Sequence, residues 1–128
     1  MEQLIQLIKE TNLLNSLSSD DIQDRIKNNV FTTLYCNKNS VLHLDGDPCN
    51  HLEIILRGKV IVERIDESGN YLVLSEFEKN DILGGNLLFS NHPYYPMTIS
   101  TKTSALILKI KKTDLFELIQ CNPSILKT

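Results

Sequence analysis

The Gly84-Gly85 step is the stretch of this sequence whose residue types could bind a ligand. Glycines reach backbone angles closed to other residues, and the next residues, Asn86 to Phe89, can form one helical turn. Such a turn presents unpaired backbone N–H groups, which receive phosphate or other anions. The same glycines would also serve as a plain connection between two strands. The surrounding loop, 81–96, is the only long connection predicted, and long connections in compact domains are usually functional.

The residue types that bind metals or catalyse reactions are present but scattered. They are Cys36, Cys49 and Cys121, and His43, His51 and His92. No two cysteines form a Cys-x-x-Cys pair, so we expect reduced thiols rather than a disulfide framework. The histidines lack the close spacing of metal ligands, and the acidic pairs fall at predicted turns and helix starts. The sequence therefore predicts a protein that is not an enzyme, with no metal site, no cofactor and no catalytic residue.

Composition and charge indicate one ordinary soluble domain. The chain has 128 residues, 41% hydrophobic and 23% charged, with a formal net charge of −3. Nucleic-acid binding by this stretch itself is not expected, because phosphate neutralisation needs clustered lysine and arginine. The apolar runs are far shorter than the ~20 residues that span a bilayer, and the N-terminus lacks the pattern of a signal peptide. We therefore expect a cytoplasmic protein without membrane contact.

Helices are predicted at the start of the chain. Apolar positions recur with helical spacing through residues 1–29. Ser18 can cap the second of these helices, with Leu17 and Ile22 as a hydrophobic staple across its first turn. These helices should cover one side of the domain.

Residues 111–128 are also predicted to be helical. Thr113 or Asp114 can cap the first helix there, and Asn122-Pro123 has the pattern of a fresh helix start, with asparagine as cap and proline at the first helical position. Because the sequence stops just as that helix begins, we expect a longer polypeptide to continue past residue 128.

The middle of the chain, 30–110, is predicted to be a β-barrel. β-Branched and aromatic residues form short runs separated by turn residues. Strands are expected at 30–35, 41–44, 51–56, 59–65, 71–77, 97–101 and 105–110. Gly58 splits one long run and should mark a bend where the sheet curls. Seven short, evenly spaced strands favour a mainly β fold, an antiparallel sandwich or barrel of jelly-roll type with flanking helices.

Several motifs, taken in this order, resemble the effector domain of the catabolite-activator (Crp/Fnr) family of bacterial transcription regulators. They are Asp45-Gly46-Asp47, the run Leu52 to Val60, a turn with Gly69, Asn80-Asp81-Ile82-Leu83-Gly84, and Phe116 to Asn122-Pro123. The resemblance covers nearly the whole chain as one domain, 1–128. It implies the cyclic-nucleotide-binding jelly roll, which is cupin-like, with the Gly84 loop as the phosphate-binding cassette. It also implies a homodimer that binds DNA through a helix-turn-helix beyond residue 128.

This sequence departs from the nucleotide-binding members at two charged positions. Those members resemble Phe-[Ile/Leu]-Gly-Glu-x-[Gly/Ala]-Leu followed by Arg-[Ser/Thr]-Ala, where glutamate holds the ribose and arginine pairs with the cyclic phosphate. Here Gly85 stands at the glutamate position, Tyr95 at the arginine position and Pro96 at the Ser/Thr position. Tyrosine cannot replace the charge and fork geometry of arginine. Binding of cyclic AMP or cyclic GMP is therefore not expected.

The remaining cassette residues could bind another small effector. The predicted ligand-binding residues are Gly84, Gly85, Asn86, Leu87, Leu88, Tyr94, Tyr95, Pro96, Met97 and Thr98. This mixture of neutral hydrogen-bonding and apolar groups favours a small, partly apolar metabolite, aromatic or weakly acidic. In the alternative, Tyr95 and Met97 fill the space of the nucleotide, and the domain is a degenerate stand-alone module that acts by protein–protein contact.

Other ligands known in this fold or family fit the sequence poorly. An iron–sulfur member would have a cysteine-rich N-terminal segment, and residues 1–29 contain no cysteine. A haem-binding member needs an axial ligand in the cassette region, where His92 is the only candidate and lies in a predicted surface loop. A cupin-type metal enzyme needs His-x-His, which is absent.

Overall fold

A computed structural model describes residues 1–123 and residue 125. The helices are α1 (Glu2–Lys9), α2 (Ser19–Lys27) and α3 (Lys112–Cys121). The strands are β1 (Thr32–Cys36), β2 (Val41–His43), β3 (His51–Arg57), β4 (Val60–Ile65), β5 (Tyr71–Phe77), β6 (Ile82–Leu83), β7 (Thr98–Thr101) and β8 (Ala105–Lys111). The mainly β prediction with flanking helices is confirmed.

The strands form two four-stranded antiparallel sheets. The first sheet has the order β1-β8-β3-β6, and the second has the order β2-β7-β4-β5. No strand pairing among the described residues joins the two sheets, so the predicted jelly-roll fold takes the form of a two-sheet sandwich and not of a closed barrel. Because the chain crosses from one sheet to the other at every connection between consecutive strands except that between β4 and β5, residues distant in sequence meet in the interior.

Gly58 is the position where β3 leaves the first sheet and β4 enters the second. Its φ is +91°, and a Cβ atom there would lie 2.2 Å from the carbonyl oxygen of Ser104. Only glycine combines that left-handed backbone with so close an approach. The predicted bend at Gly58 is confirmed.

One apolar core lies between the sheets and under the helices. In β3, the five residues from Leu52 to Leu56 are all buried. Such a continuous run indicates a strand covered on both faces, and α3 packs against both β3 and β8. Residues of α1, α2 and α3, such as Ile8, Ile22 and Leu115, belong to the same core cluster. The C-terminal helix therefore covers the first sheet, and the N-terminal helices pack into the same core.

The ends of α2 show one correct and one wrong prediction. The Ser18 hydroxyl accepts a hydrogen bond from the Asp21 N–H at 3.1 Å, as a capping residue does. The strand predicted from Val30 begins only at Thr32, because the N–H groups of Val30 and Phe31 donate to the carbonyl of Arg25 at the end of the helix.

The C-terminal helix begins earlier than the sequence predicts. Lys111 is the N-cap residue of α3 and makes no side-chain capping bond, so the prediction of Thr113 or Asp114 as the cap is wrong. Asn122 is the C-cap of the same helix, and its N–H donates to the carbonyl of Leu118. The second helix predicted after Asn122 lies mostly outside the described residues.

Candidate ligand-binding site

The Gly84 loop forms a tight turn directly after β6. Gly84 has a φ of +80°, which explains the glycine. Its carbonyl accepts hydrogen bonds from the N–H groups of Leu87 at 3.1 Å and Leu88 at 2.9 Å. The chain from Gly85 to Phe89 is thus a series of turns and not a helix. A turn at this position is what the two glycines lead us to expect.

A cavity of about 520 Å³ opens beside this turn, between the two sheets. The lining residues are Val62, Phe77, Ile82, Leu83, Gly84, Gly85, Asn86, Leu87, Tyr95, Pro96, Met97 and Ile99. Asn86 and Tyr95 are the lining residues with polar side-chain groups, and none carries a formal charge. The volume is within the ~300–1,000 Å³ range of small-molecule sites, and the lining favours an uncharged, largely apolar ligand.

Seven of the ten predicted ligand-binding residues line this cavity: Gly84, Gly85, Asn86, Leu87, Tyr95, Pro96 and Met97. The other three lie elsewhere. Leu88 is fully buried in the core, and Tyr94 is 44% exposed with its ring beside that of His92. Thr98 lines a separate depression that also includes Ser100 and Tyr71. Ligand binding by any of the ten remains a prediction.

Tyr95 is the most constrained residue of the lining. Its side chain is only 2% exposed, and its ring stacks on the imidazole of His43 with the centroids 4.0 Å apart and the planes 14° apart. Its main chain is held on both sides, because the Tyr95 N–H donates to the carbonyl of Asp47 at 2.8 Å and the Tyr95 carbonyl accepts from the Gly46 N–H at 2.7 Å. The backbone and the ring are therefore held in one orientation.

The Tyr95 hydroxyl points at the Gly84 turn. The Cys49 thiol donates to it across 3.6 Å, and a Cβ atom on Gly84 would lie 3.0 Å from it. Burial raises the pKa of Tyr95 well above its usual value, and the negative charge of Glu53 and the contact with Cys49 raise it further. The side chain thus presents a neutral phenol to the cassette.

A partly buried hydrogen bond lies behind the Tyr95 ring. His43 Nε2 is 2.5 Å from Glu53 Oε1, and the Glu53 side chain is 2% exposed. The sequence does not predict this role for either residue. The available signal was the position of Glu53, a single carboxylate inside the apolar β3 run, because a buried carboxylate requires a partner.

The three cysteines are free thiols. Cys36 and Cys49 are buried, whereas Cys121 is exposed. Burial raises the pKa of Cys36, and the nearby charge of Glu53 adds to the effect. The described residues contain no group of three or more potential metal-ligating side chains placed to hold an ion, and no helix among them is long and apolar enough to cross a bilayer.

Comparison with known proteins identifies the family that has this architecture. The family described as "Cyclic nucleotide-binding domain" matches residues 33–122. The chain belongs to that family. It is 30% identical over 92 residues to the cAMP-activated global transcriptional regulator CRP of Salmonella typhimurium and of Escherichia coli, which spans 72% of this chain but 43% of those relatives. The resemblance to Crp/Fnr-type regulators is therefore confirmed.

Solved structures show the same fold at lower identity. The sensor domain of the transcriptional regulator DNR from Pseudomonas aeruginosa is 16% identical with a TM-score of 0.80, covering 97% of this chain and 81% of that one. A transcriptional regulator from Thermotoga maritima is 22% identical with a TM-score of 0.73, covering 83% and 81%. The regulatory subunit of a cAMP-independent protein kinase A from Trypanosoma brucei is 22% identical with a TM-score of 0.75, covering 98% and 45%.

None of the residues that line the cavity carries a carboxylate or a cationic side chain. Gly85 adds no carboxylate to the cavity, and Tyr95 adds no cation. The lining of the cavity beside the Gly84 turn is therefore largely apolar.

Proposed function

We propose that this chain is the effector-sensing domain of a Crp/Fnr-type transcription regulator, and that its cavity binds a small uncharged effector in place of a cyclic nucleotide. The observation that carries the proposal is the position of the Tyr95 hydroxyl against the Gly84 turn. A phosphate would need the N–H groups of that turn and a cation opposite, and a neutral phenol stands there instead.

In a full-length regulator, effector binding would act on DNA through the helix that the sequence predicts after Asn122. A ligand that binds one arrangement of this helix more tightly shifts the population toward it. In a homodimer, such a shift changes the spacing of two DNA-reading helices. The cavity would thus control transcription without any catalytic step.

A fluorescence titration with the uncharged dye N-phenylnaphthylamine tests the cavity. We expect saturable binding that Leu87→Trp weakens at least about tenfold, because the indole would fill a cavity of this size. Phe89→Trp is the matched control, since Phe89 is in the same loop but 49% exposed and outside the cavity lining. Absence of dye binding would contradict the proposal and favour the ligand-free module that acts by protein contact.

A gain-of-function variant tests the exclusion of cyclic nucleotides. We expect no thermal stabilisation of the natural chain by cyclic AMP, and measurable stabilisation of the triple variant Gly85→Glu/Tyr95→Arg/Pro96→Ser. The triple variant restores the carboxylate, the guanidinium and the hydroxyl of the nucleotide-binding pattern. Micromolar binding of cyclic AMP by the natural chain would overturn the proposal.

A further inference from the structure

We infer that the partly buried hydrogen bond between His43 and Glu53 positions Tyr95 as the inner wall of the cavity. Effector binding in the cavity is thereby coupled to this hydrogen bond, which joins the two sheets. This inference rests on the proposed function, because it assigns a regulatory coupling to the same cavity. It adds two residues that neither line the cavity nor belong to the family's cassette pattern.

The pair joins the two sheets across the interior. His43 is at the end of β2 in the second sheet, and Glu53 is in β3 of the first sheet. The contact is 2.5 Å, and the two side chains are 15% and 2% exposed. Losing one partner would leave the other buried without its hydrogen bond, which is strongly unfavourable. The pair therefore has one well-defined geometry in the folded domain.

Tyr95 transmits that geometry to the cavity. Its ring lies flat on His43 at 4.0 Å, while the same side chain lines the cavity. Its main chain is tied to Gly46 and Asp47, in the loop that follows β2. A continuous set of contacts thus runs from Glu53 through His43 to Tyr95 and the ligand space. Coupling between sites is carried by packed contacts and hydrogen bonds of this kind.

A double-mutant cycle separates this role from a purely structural tie. We expect Glu53→Leu to raise the dissociation constant of N-phenylnaphthylamine about tenfold, and the near-isosteric Glu53→Gln to recover most of the loss. In a Tyr95→Ala background, Glu53→Leu should change the dissociation constant less than about twofold, because the wall it positions is absent. A purely structural tie would lower stability in both backgrounds and leave dye affinity unchanged in both.

Glu63→Leu is the matched control for the loss of a carboxylate. Glu63 is in β4 and is not a lining residue of the cavity, and its Oε1 accepts a hydrogen bond from the Ser100 hydroxyl at 3.0 Å. We expect the same loss of one negative charge without a change in dye affinity. An equal effect of Glu63→Leu and Glu53→Leu would overturn the inference.

A measurement on the unmodified protein covers the case in which Glu53→Leu does not fold. The chain has three histidines, so their imidazole resonances can be followed individually by NMR during dye titration. Because coupling is reciprocal, saturating dye should shift the His43 resonances, while those of His92 in its exposed loop stay in place. Dye binding that leaves His43 unmoved refutes this inference alone. Absence of dye binding refutes the proposed function and the inference together.

Discussion

Replacing Gly84 with alanine tests how closely the cassette turn approaches the residues behind it. The φ of +80° makes any side chain unfavourable there, at a cost of about 1–2 kcal/mol for a left-handed backbone. The new Cβ atom would also lie 3.0 Å from both the Cys49 Sγ and the Tyr95 Oη, and 3.5 Å from the His51 carbonyl oxygen. Those neighbours must shift by a few tenths of an ångström, although the Tyr95 ring is held against His43.

The expected magnitude follows from comparing two glycines with nearly the same φ. Overpacking a buried site costs about 1–3 kcal/mol, so Gly84→Ala should lower the free energy of unfolding by about 2–5 kcal/mol in total. Gly69 has a φ of +84° and no atom within 4 Å of its Cβ position, so Gly69→Ala isolates the backbone cost. The difference between the two variants measures the close approach alone.

Urea unfolding followed by far-ultraviolet circular dichroism measures both losses. With a typical slope of about 1–3 kcal/mol per molar urea, the additional loss should shift the midpoint of Gly84→Ala by about 1 M relative to Gly69→Ala. In a Tyr95→Phe background, one of the two contacted atoms is removed. The additional loss of stability caused by Gly84→Ala should therefore be smaller there than in the natural chain. Equal destabilisation by Gly84→Ala and Gly69→Ala would refute the close approach of Tyr95 and Cys49 to the turn.

Three further predictions address single groups. Because burial raises the pKa of Tyr95, the neutral phenol stabilises the folded state fully below about pH 10. Above about pH 10 this stabilisation is lost at up to about 1.4 kcal/mol per pH unit. The free energy of unfolding of Tyr95→Phe should therefore fall less steeply than that of the natural chain above about pH 10, and parallel slopes would contradict the burial of the phenol. Thr101 is buried, and its hydroxyl oxygen accepts a hydrogen bond from the Ser40 N–H at 2.8 Å. Thr101→Val should therefore lower the free energy of unfolding, measured in urea, by about 1–3 kcal/mol. Ser40→Ala keeps that N–H and is the control, for which a smaller loss is expected. Ser18→Ala should cost about 1 kcal/mol in the same assay through loss of the α2 cap, and an unchanged midpoint would show that the bond to Asp21 contributes nothing.

The sequence predicts an element correctly where its boundaries are set by residues close to it in the chain. The strand at 71–77 was predicted with the observed bounds, because the preceding turn carries its own hydrogen bonds: the Asp66 carboxylate accepts from the N–H groups of Ser68 at 2.9 Å and Asn70 at 2.8 Å. β6 was not predicted, because two residues, Ile82 and Leu83, are too few to show alternation. Its pairing with β3 comes from the tertiary structure.

The candidate site divides in the same way between local and long-range causes. The Gly84 turn and most of the cavity lining lie within one loop, so their types and spacing could be interpreted from the sequence. The chain can also show that Glu53 needs a partner, since a carboxylate in the middle of a strand buried on both faces is costly when isolated. It cannot show which partner, because β2 and β3 lie in different sheets and the contact between them forms only when the two sheets pack together. His43 is chosen over His51, two residues from Glu53 and in the same strand, because the sandwich brings β2 over β3 at the level of Tyr95.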